Sequence, residues 1–258
     1  MFGADWGADV AAAAGWPWVS VSTVDTTGST NADLVAQARS GAPSGTVLVA
    51  AHQSGGRGRL DRTWTAPPGT SLAISALLRP PEQVPVMRWL WLPLLAGLAV
   101  VDAVGVATGA SAELKWPNDV LIDGRKLCGI LSERIVDAQQ GDAAVIGMGI
   151  NTRLRGDQLP VPTATSLALA GVEVDERELV VAVLAALAHW YRRWLDEEDF
   201  ADAMTERCST IGRLVRVELG AGRTAVGTAV GIDSDGRLLV EVGERTQAFS
   251  AGDVVHLR

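Results

Sequence analysis

Three short runs hold residues whose types and spacing could do chemistry. The first is Gly55-Gly56-Arg57-Gly58-Arg59-Leu60-Asp61-Arg62-Thr63-Trp64. Glycines let a backbone turn its N–H groups toward an anion. The interleaved Arg57, Arg59 and Arg62 add permanent charge and forked donors suited to phosphate or carboxylate. Trp64 offers a face for a flat base. No Gly-Lys-Ser/Thr follows, so this is not a Walker A loop, and the spacing is not the dinucleotide fingerprint either. Taken alone, the segment also reads as a flexible basic surface loop.

The second run is Lys115-Trp116-Pro117-Asn118-Asp119, followed by Gly124-Arg125-Lys126-Leu127-Cys128-Gly129-Ile130-Leu131. A lysine at a strand end, an Asn-Asp pair in a proline turn and a second lysine one hairpin later could converge on one pocket. Their types suit a nucleotide with its metal: lysine for phosphate, Asp119 for Mg2+, Asn118 for hydrogen bonds. A hairpin with solvated charges is the plain alternative, because turns favour Asn, Asp and Gly in any case. The third run, Ile146-Gly147-Met148-Gly149-Ile150-Asn151, ends a strand with alternate glycines. That lets a flat ligand lie against bare backbone, although a β-bulge uses glycine in the same way.

These runs must be held by regular elements. Alternation predicts a strand over residues 18–24, and Ser29-Thr30-Asn31 predicts a helix start, with the helix running over 31–39 to Gly41. Strands are expected at 46–51, 71–78, 113–116, 120–122, 126–136 and 143–147, with a tight hairpin turn at Asp123-Gly124. Helices are expected at 85–108, 176–194 and 200–208, and residues 53–62 are expected to form a loop. From about residue 214 the pattern changes to short alternating strands separated by Gly/Asp/Arg turns, which predicts a small barrel or sandwich with a boundary near Gly212. The fold class is therefore α/β (α+β), a mixed sheet packed with helices, plus a small β unit.

Composition narrows the function classes. A chain of 258 residues that is 48% hydrophobic can build a sizeable core. A net charge of −8 with no Lys/Arg run disfavours nucleic acid as a partner. The 2 cysteines and 3 histidines have neither disulfide nor zinc spacing, which suits a reducing cytoplasm. The acidic start lacks the basic n-region of a signal peptide. The apolar stretch 89–106 is broken by Pro93, Gly97, Asp102 and Gly105, and reads as a core helix rather than a membrane span.

Taken in order, Gly28-Ser29-Thr30-Asn31, the Gly-Arg-Gly-Arg loop with Arg62, Lys-Trp-Pro-Asn-Asp, Arg-Lys-x-x-Gly-Ile-Leu and Gly-x-Gly-Ile-Asn resemble the biotin protein ligase family. The resemblance covers residues 19–151 and extends more loosely to the C-terminal strands. It implies a class II synthetase-like catalytic domain over 1–211 and an SH3-like barrel over 212–258. It also implies an activity: ATP and Mg2+ activate biotin as biotinyl-5'-AMP, and the acyl group passes to one lysine of a biotin carboxyl carrier protein domain. A lipoate or octanoate ligase of the same superfamily is the alternative.

The matching positions carry implied roles. Ser29, Thr30 and Gln53, with Asn31 beside them, face the biotin ureido ring. Gly56, Arg57 and Gly58 fold over biotin and the adenylate. Arg59 and Arg62 lie on the phosphate side, Trp64 next to adenine, and Lys115, Asn118 and Asp119 on the ATP and Mg2+ side. Lys126 bridges the biotin carboxylate and the α-phosphate. Gly129, Gly147 and Gly149 line the biotin pocket, and Asn151 meets the nucleotide. Lys126, Arg59 and Asp119 are the implied catalytic set.

Cys128 departs from the family's usual small apolar residue and reads as a buried hydrophobe. Fewer than about thirty residues precede Ser29, too few for a three-helix DNA-binding domain. The resemblance is thus to the monofunctional type, a monomer or weak homodimer, and not to a repressor. All motif residues lie before Thr152, so the C-terminal strands are expected to support catalysis without holding biotin contacts.

Overall fold

The computed structural model describes residues 2–3, 5–137, 139–196, 199–220 and 222–257. In chain order the first half comprises α1 (Trp6–Ala14), β1 (Ser20–Val24), α2 (Thr30–Arg39), β2 (Thr46–Ala50), β3 (Gly56–Arg57), β4 (Thr63–Trp64), β5 (Ser71–Leu78), α3 (Trp91–Thr108), β6 (Glu113–Lys115) and β7 (Asp119–Ile122). Then come β8 (Arg125–Ile135), β9 (Ala143–Asn151), α4 (Glu176–Leu195), α5 (Ala201–Arg207) and β10 to β14 (Leu214–Glu218, Thr224–Ile232, Leu238–Val242, Arg245–Phe249, Asp253–His256). The main sheet runs β1-β2-β5-β9-β8-β7-β6; β1 and β2 are parallel and the other pairs antiparallel, the mixed sheet that the sequence predicts.

The period-2 alternation of its central strands separates two faces. Leu72, Ile74, Ile146, Met148, Ile150 and Ile130 face α3 and α4 and form the large core with them. On the opposite face Leu77 and Val145 pack beneath Leu34 and Ala38 of α2. Further along that face the side chains shrink. The next row across β5, β9 and β8 is Ser75, Gly147, Leu131, and the one after it is Ala73, Gly149, Gly129. Beyond α2, then, the sheet is nearly bare.

Within Val86–Thr108 an 18-residue window has a mean hydropathy of 2.0, enough by length and composition to cross a membrane, yet 61% of that window is buried inside the protein. They pack between the sheet and α4, as a core helix does. The C-terminal strands form an antiparallel sheet in the order β13-β12-β11-β10-β14, and the end strands are not paired with each other. Its apolar side is continuous with the main core: Val215, Val217, Leu238 and Val240 belong to the same cluster as Trp91 and Trp116. Both indoles donate into the turn between β11 and β12, Trp91 Nε1 to Ser234 O at 2.8 Å and Trp116 Nε1 to Gly236 O at 3.2 Å.

Two features escape the sequence reading. Residues 53–62 are not wholly irregular, because Gly56–Arg57 pairs with Thr63–Trp64. Helix α1 is the larger omission. A nine-residue helix has little stability of its own; Val10 and Ala14 are buried in the main core, and Gly7 lies against the backbone of β1.

A Cβ at Gly7 would overlap the Val21 carbonyl oxygen, which is backbone and cannot rotate away. Gly7→Ala gains about 1 kcal/mol of helix propensity, but overpacking costs about 1–3 kcal/mol. The expected outcome is a net loss of stability, read as a lower urea midpoint with an unchanged slope.

Candidate active site

A cavity of about 530 Å3 opens over the bare part of the sheet. Gly129 and Gly149 are paired across β8 and β9, and the Trp64 indole lies on them. A Cβ at Gly149 would stand 2.7 Å from Trp64 Cε2, and one at Gly129 3.0 Å from Cζ3. Gly147 makes room for the Asn31 amide in the same way. These glycines thus serve close approach, as expected, but in this structure it is protein side chains that approach.

One end of the cavity is a neutral hydrogen-bonding cluster. Ser29 caps α2, accepting from Ala32 N. Gln53 Oε1 accepts from the Thr30 amide at 2.8 Å and lies 3.0 Å from its hydroxyl. Buried Ser75 Oγ is 2.7 Å from both Thr30 Oγ1 and Asn31 Oδ1. A hydroxyl has one proton and an amide oxygen can only accept. Ser75 therefore donates to Asn31, and the Thr30 hydroxyl donates to Ser75 or Gln53. Asn31 Nδ2 donates to Glu133 Oε2 at 2.8 Å and Leu131 O at 3.2 Å. Glu133 also pairs with Arg57 at 2.9 Å. Both ends of the Asn31 side chain are thus held by protein, which suits it to positioning the floor.

The other end is charged. The Asp123-Gly124 turn, with φ of 50° and 70°, returns β8 alongside β7. That hairpin places Lys126 Nζ 2.5 Å from Asp119 Oδ1, a close ion pair. Lys126 Nζ also stands 5.9 Å from the Trp64 ring centroid. Arg59 donates to Asn118 Oδ1 at 2.9 Å, and Asn118 is fixed in turn by Ile130 O at 2.8 Å. Burial lowers the Lys115 pKa most; Lys126 adds to that shift, while Asp119 and Asp253 oppose it. Burial likewise lowers that of Arg59, against Asp253 and Asp119. Asn151 is buried at the cavity wall and donates to Thr165 O at 2.9 Å.

Every expected residue lines this cavity except Gly56, which lies behind Arg57 in an adjoining groove with Leu131 and Glu133. Cys128 is fully buried and burial pushes its thiol pKa far up, consistent with an inert hydrophobe. Among the described residues no group of three or more His, Cys, Asp or Glu side chains could hold a metal. Asp119 still suits Mg2+, which takes one or two carboxylates and completes its shell with phosphates and water, the ion then sharing this carboxylate with Lys126.

Sequence reasoning missed Ser75, Ala73, Glu133 and, from the second sheet, Glu218 and Asp253. The first two had a signal: residues 71, 73 and 75 are small and alternate with Leu72 and Ile74. The acidic residues had none, because their importance comes only from what the fold sets beside them. Asp253 lines the cavity and pairs with both Arg62 and Arg59, so the C-terminal strands contribute a charged group to the wall.

Residues 24–151 match the Biotin/lipoate A/B protein ligase family and residues 210–257 match the Biotin protein ligase C terminal domain. A biotin–[acetyl-CoA-carboxylase] ligase of Mycobacterium tuberculosis is 44% identical over 251 residues, covering 95% of this chain and 92% of that one. A protein of the same name from Paracoccus denitrificans is 33% identical, covering 88% and 97%. Among solved structures, the biotin protein ligase from Aquifex aeolicus in complex with biotin and ATP superposes with a TM-score of 0.78 at 28% identity, covering 92% of this chain and 98% of that one. Sequence motifs, cavity and relatives agree, and the chain belongs to the biotin protein ligase family of enzymes.

Proposed function

We propose that this enzyme uses ATP to convert biotin to biotinyl-5'-AMP and transfers the acyl group to one lysine of a biotin carboxyl carrier protein domain. The proposal includes a cytoplasmic, monofunctional ligase, monomeric or weakly dimeric, with neither nucleic acid nor membrane as partner. The observation that carries it is the polarity gradient along one cavity. Gly129, Gly147 and Gly149, beneath Trp64 and Asn31, lie with hydroxyl and amide groups at one end, and Lys126, Arg59, Arg62, Lys115 and Asp119 at the other. A neutral ring with a carboxylate tail, followed by a triphosphate, matches that gradient.

In the first step a biotin carboxylate oxygen bonds to the α-phosphorus, and the bond to pyrophosphate breaks. Two anions approach each other, so the barrier is largely electrostatic. Lys126, held by Asp119, meets the carboxylate and α-phosphate, while Arg59 and Arg62 face the phosphates. Ser29, Thr30 and Gln53 bind the ring, Trp64 and Asn151 meet the nucleotide, and Arg57 with Gly56 and Gly58 covers the acyl group. Asp119 would hold Mg2+ on the protein side, and the bound ion would add charge neutralisation on the phosphates. In the second step the carrier amine attacks the acyl carbonyl, AMP leaves, and the amine gives up a proton. No side-chain nucleophile is needed. The 53–64 loop keeps water from the mixed anhydride.

A lipoate or octanoate ligase is the second reading, since one family description covers both acids. The match to a biotin protein ligase C-terminal domain favours biotin. Acid-dependent pyrophosphate release with each substrate separates the two.

Lys126→Ala is expected to lower biotin-dependent pyrophosphate release about a hundred- to thousand-fold, the usual cost of one preorganised charge contact. Its circular dichroism should match the wild type, because Lys126 is half-exposed beside a surface turn. Near wild-type release in a folded variant argues against the assignment.

The loop should respond to its ligands. Ordering a chain segment costs about 1–2 kcal/mol per residue, and contacts with biotin and the phosphates offset that cost. Amide hydrogen exchange over 53–64 is expected to slow with biotin and slow further with ATP. Arg59→Gly should release adenylate and biotinylate bystander proteins. Equal exchange in all states, or strictly carrier-specific labelling by the variant, contradicts the lid.

A further inference from the structure

The loop that spans 53–64 is tied down at its tip from an unexpected side. Leu60 and Asp61 both have left-handed backbone, with φ of 54° and 57°, and Leu60 is 68% exposed. A leucine in that conformation is strained, because its Cβ crowds the following carbonyl oxygen, and an exposed one gains nothing from packing. The tip therefore needs anchors elsewhere. Arg59 and Arg62 flank it, and both reach the start of β14: Arg59 donates to Gly252 O at 3.2 Å and stands 3.9 Å from Asp253, while Arg62 pairs directly with Asp253. The two guanidiniums repel one another, and Asp253 offsets that repulsion. Gly252 has φ of 147°, and a Cβ there would meet Val217 at 2.9 Å, so the bend that presents its carbonyl and the Asp253 carboxylate to the loop requires glycine.

We propose that Asp253 is a positioning residue: from the second sheet it gathers Arg59 and Arg62 and biases the 53–64 loop toward its closed position before any phosphate arrives. Partly exposed ion pairs of this kind are weak, because solvent screens them. The latch therefore biases the loop without locking it, and leaves room for ligands to complete closure. The arginines are presented to an incoming triphosphate already gathered, so part of the ordering cost is met in advance. The carboxylate also gives the C-terminal sheet a part in nucleotide binding. The inference rests on the proposed ATP-dependent function for its kinetic consequence, but not for its structural one.

The test uses the full-length protein with Asp253→Asn and Asp253→Glu. Without ligand, exchange over 55–62 should quicken in Asp253→Asn, and in wild type it should quicken similarly at about 1 M salt, where the screening length is about 3 Å. KM for ATP should rise about tenfold in Asp253→Asn, equivalent to about 1.4 kcal/mol, with kcat for pyrophosphate release changed less, and Asp253→Glu should recover most of the loss. Unchanged exchange in Asp253→Asn overturns the latch, and so does a fall in kcat at constant KM. If wild type releases no pyrophosphate with biotin, the functional reading fails, while the substrate-free exchange comparison still decides the latch.

Discussion

Over a short stretch one face of the main sheet carries only Ala73, Ser75 and Leu131 among three glycines, and the site is arranged around that stretch. Strand geometry places Ala73, Gly149 and Gly129 in one row and Ser75, Gly147 and Leu131 in the next. The reverse face of the same strands carries Leu, Ile and Met in the core. A strand with small residues on one side and large ones on the other stays anchored while leaving a floor on which flat groups can lie. Any Cβ on Gly149 or Gly129 would displace the Trp64 ring, and one on Gly147 would displace Asn31. The floor therefore sets where Trp64 and Asn31 sit, and through them the loop and helix α2.

Around that floor the charges are arranged so that none is buried without a counter-charge nearby. Lys126 meets Asp119, Arg57 meets Glu133, and Arg59 and Arg62 meet Asp253. Burial lowers the pKa of Lys115 and Arg59, and the neighbouring carboxylates act in the opposite sense. The cavity lining sets Arg57, Arg59, Arg62, Lys115 and Lys126 against Asp119, Glu218 and Asp253, an excess of positive charge that favours an entering anion, and in the proposed reaction two anions must be brought together there.

The second sheet is tied to the catalytic sheet by apolar packing and by polar contacts. Trp91 and Trp116 bury their rings in the shared core and donate into the turn between β11 and β12. Thr210 Oγ1 accepts from Trp116 N at 3.2 Å and lies 3.1 Å from His256 Nε2. Burial first, then Lys115 and Arg213, pushes the His256 pKa down to about 4, so the ring is neutral near pH 7 and its Nε2 can accept from Thr210. The Lys115–Asp119 turn is in this way braced from behind by residues some hundred positions later in the chain.

Much of this was legible in one dimension. The alternation of strands, the Ser29 cap, the Asp123-Gly124 hairpin and the apolar periodicity of α4 are local features, set by backbone geometry and side-chain spacing over a few residues. The Gly/Arg loop, the Lys-Trp-Pro-Asn-Asp turn and the paired glycines could be picked out because their residue types already imply anions and close approach. Helix α1 was not legible, since its stability comes from contact with β1 and α4 and not from its own propensity. Nor could sequence say that Gly149 faces Trp64, that Ser75 supports Asn31, or that Asp253 meets arginines nearly two hundred residues earlier. An aspartate in a surface strand looks the same whether it faces water or a guanidinium. Only the fold, by bringing β14 to the rim of the cavity, decides which it is, because the interaction depends on distance in space and not on separation along the chain.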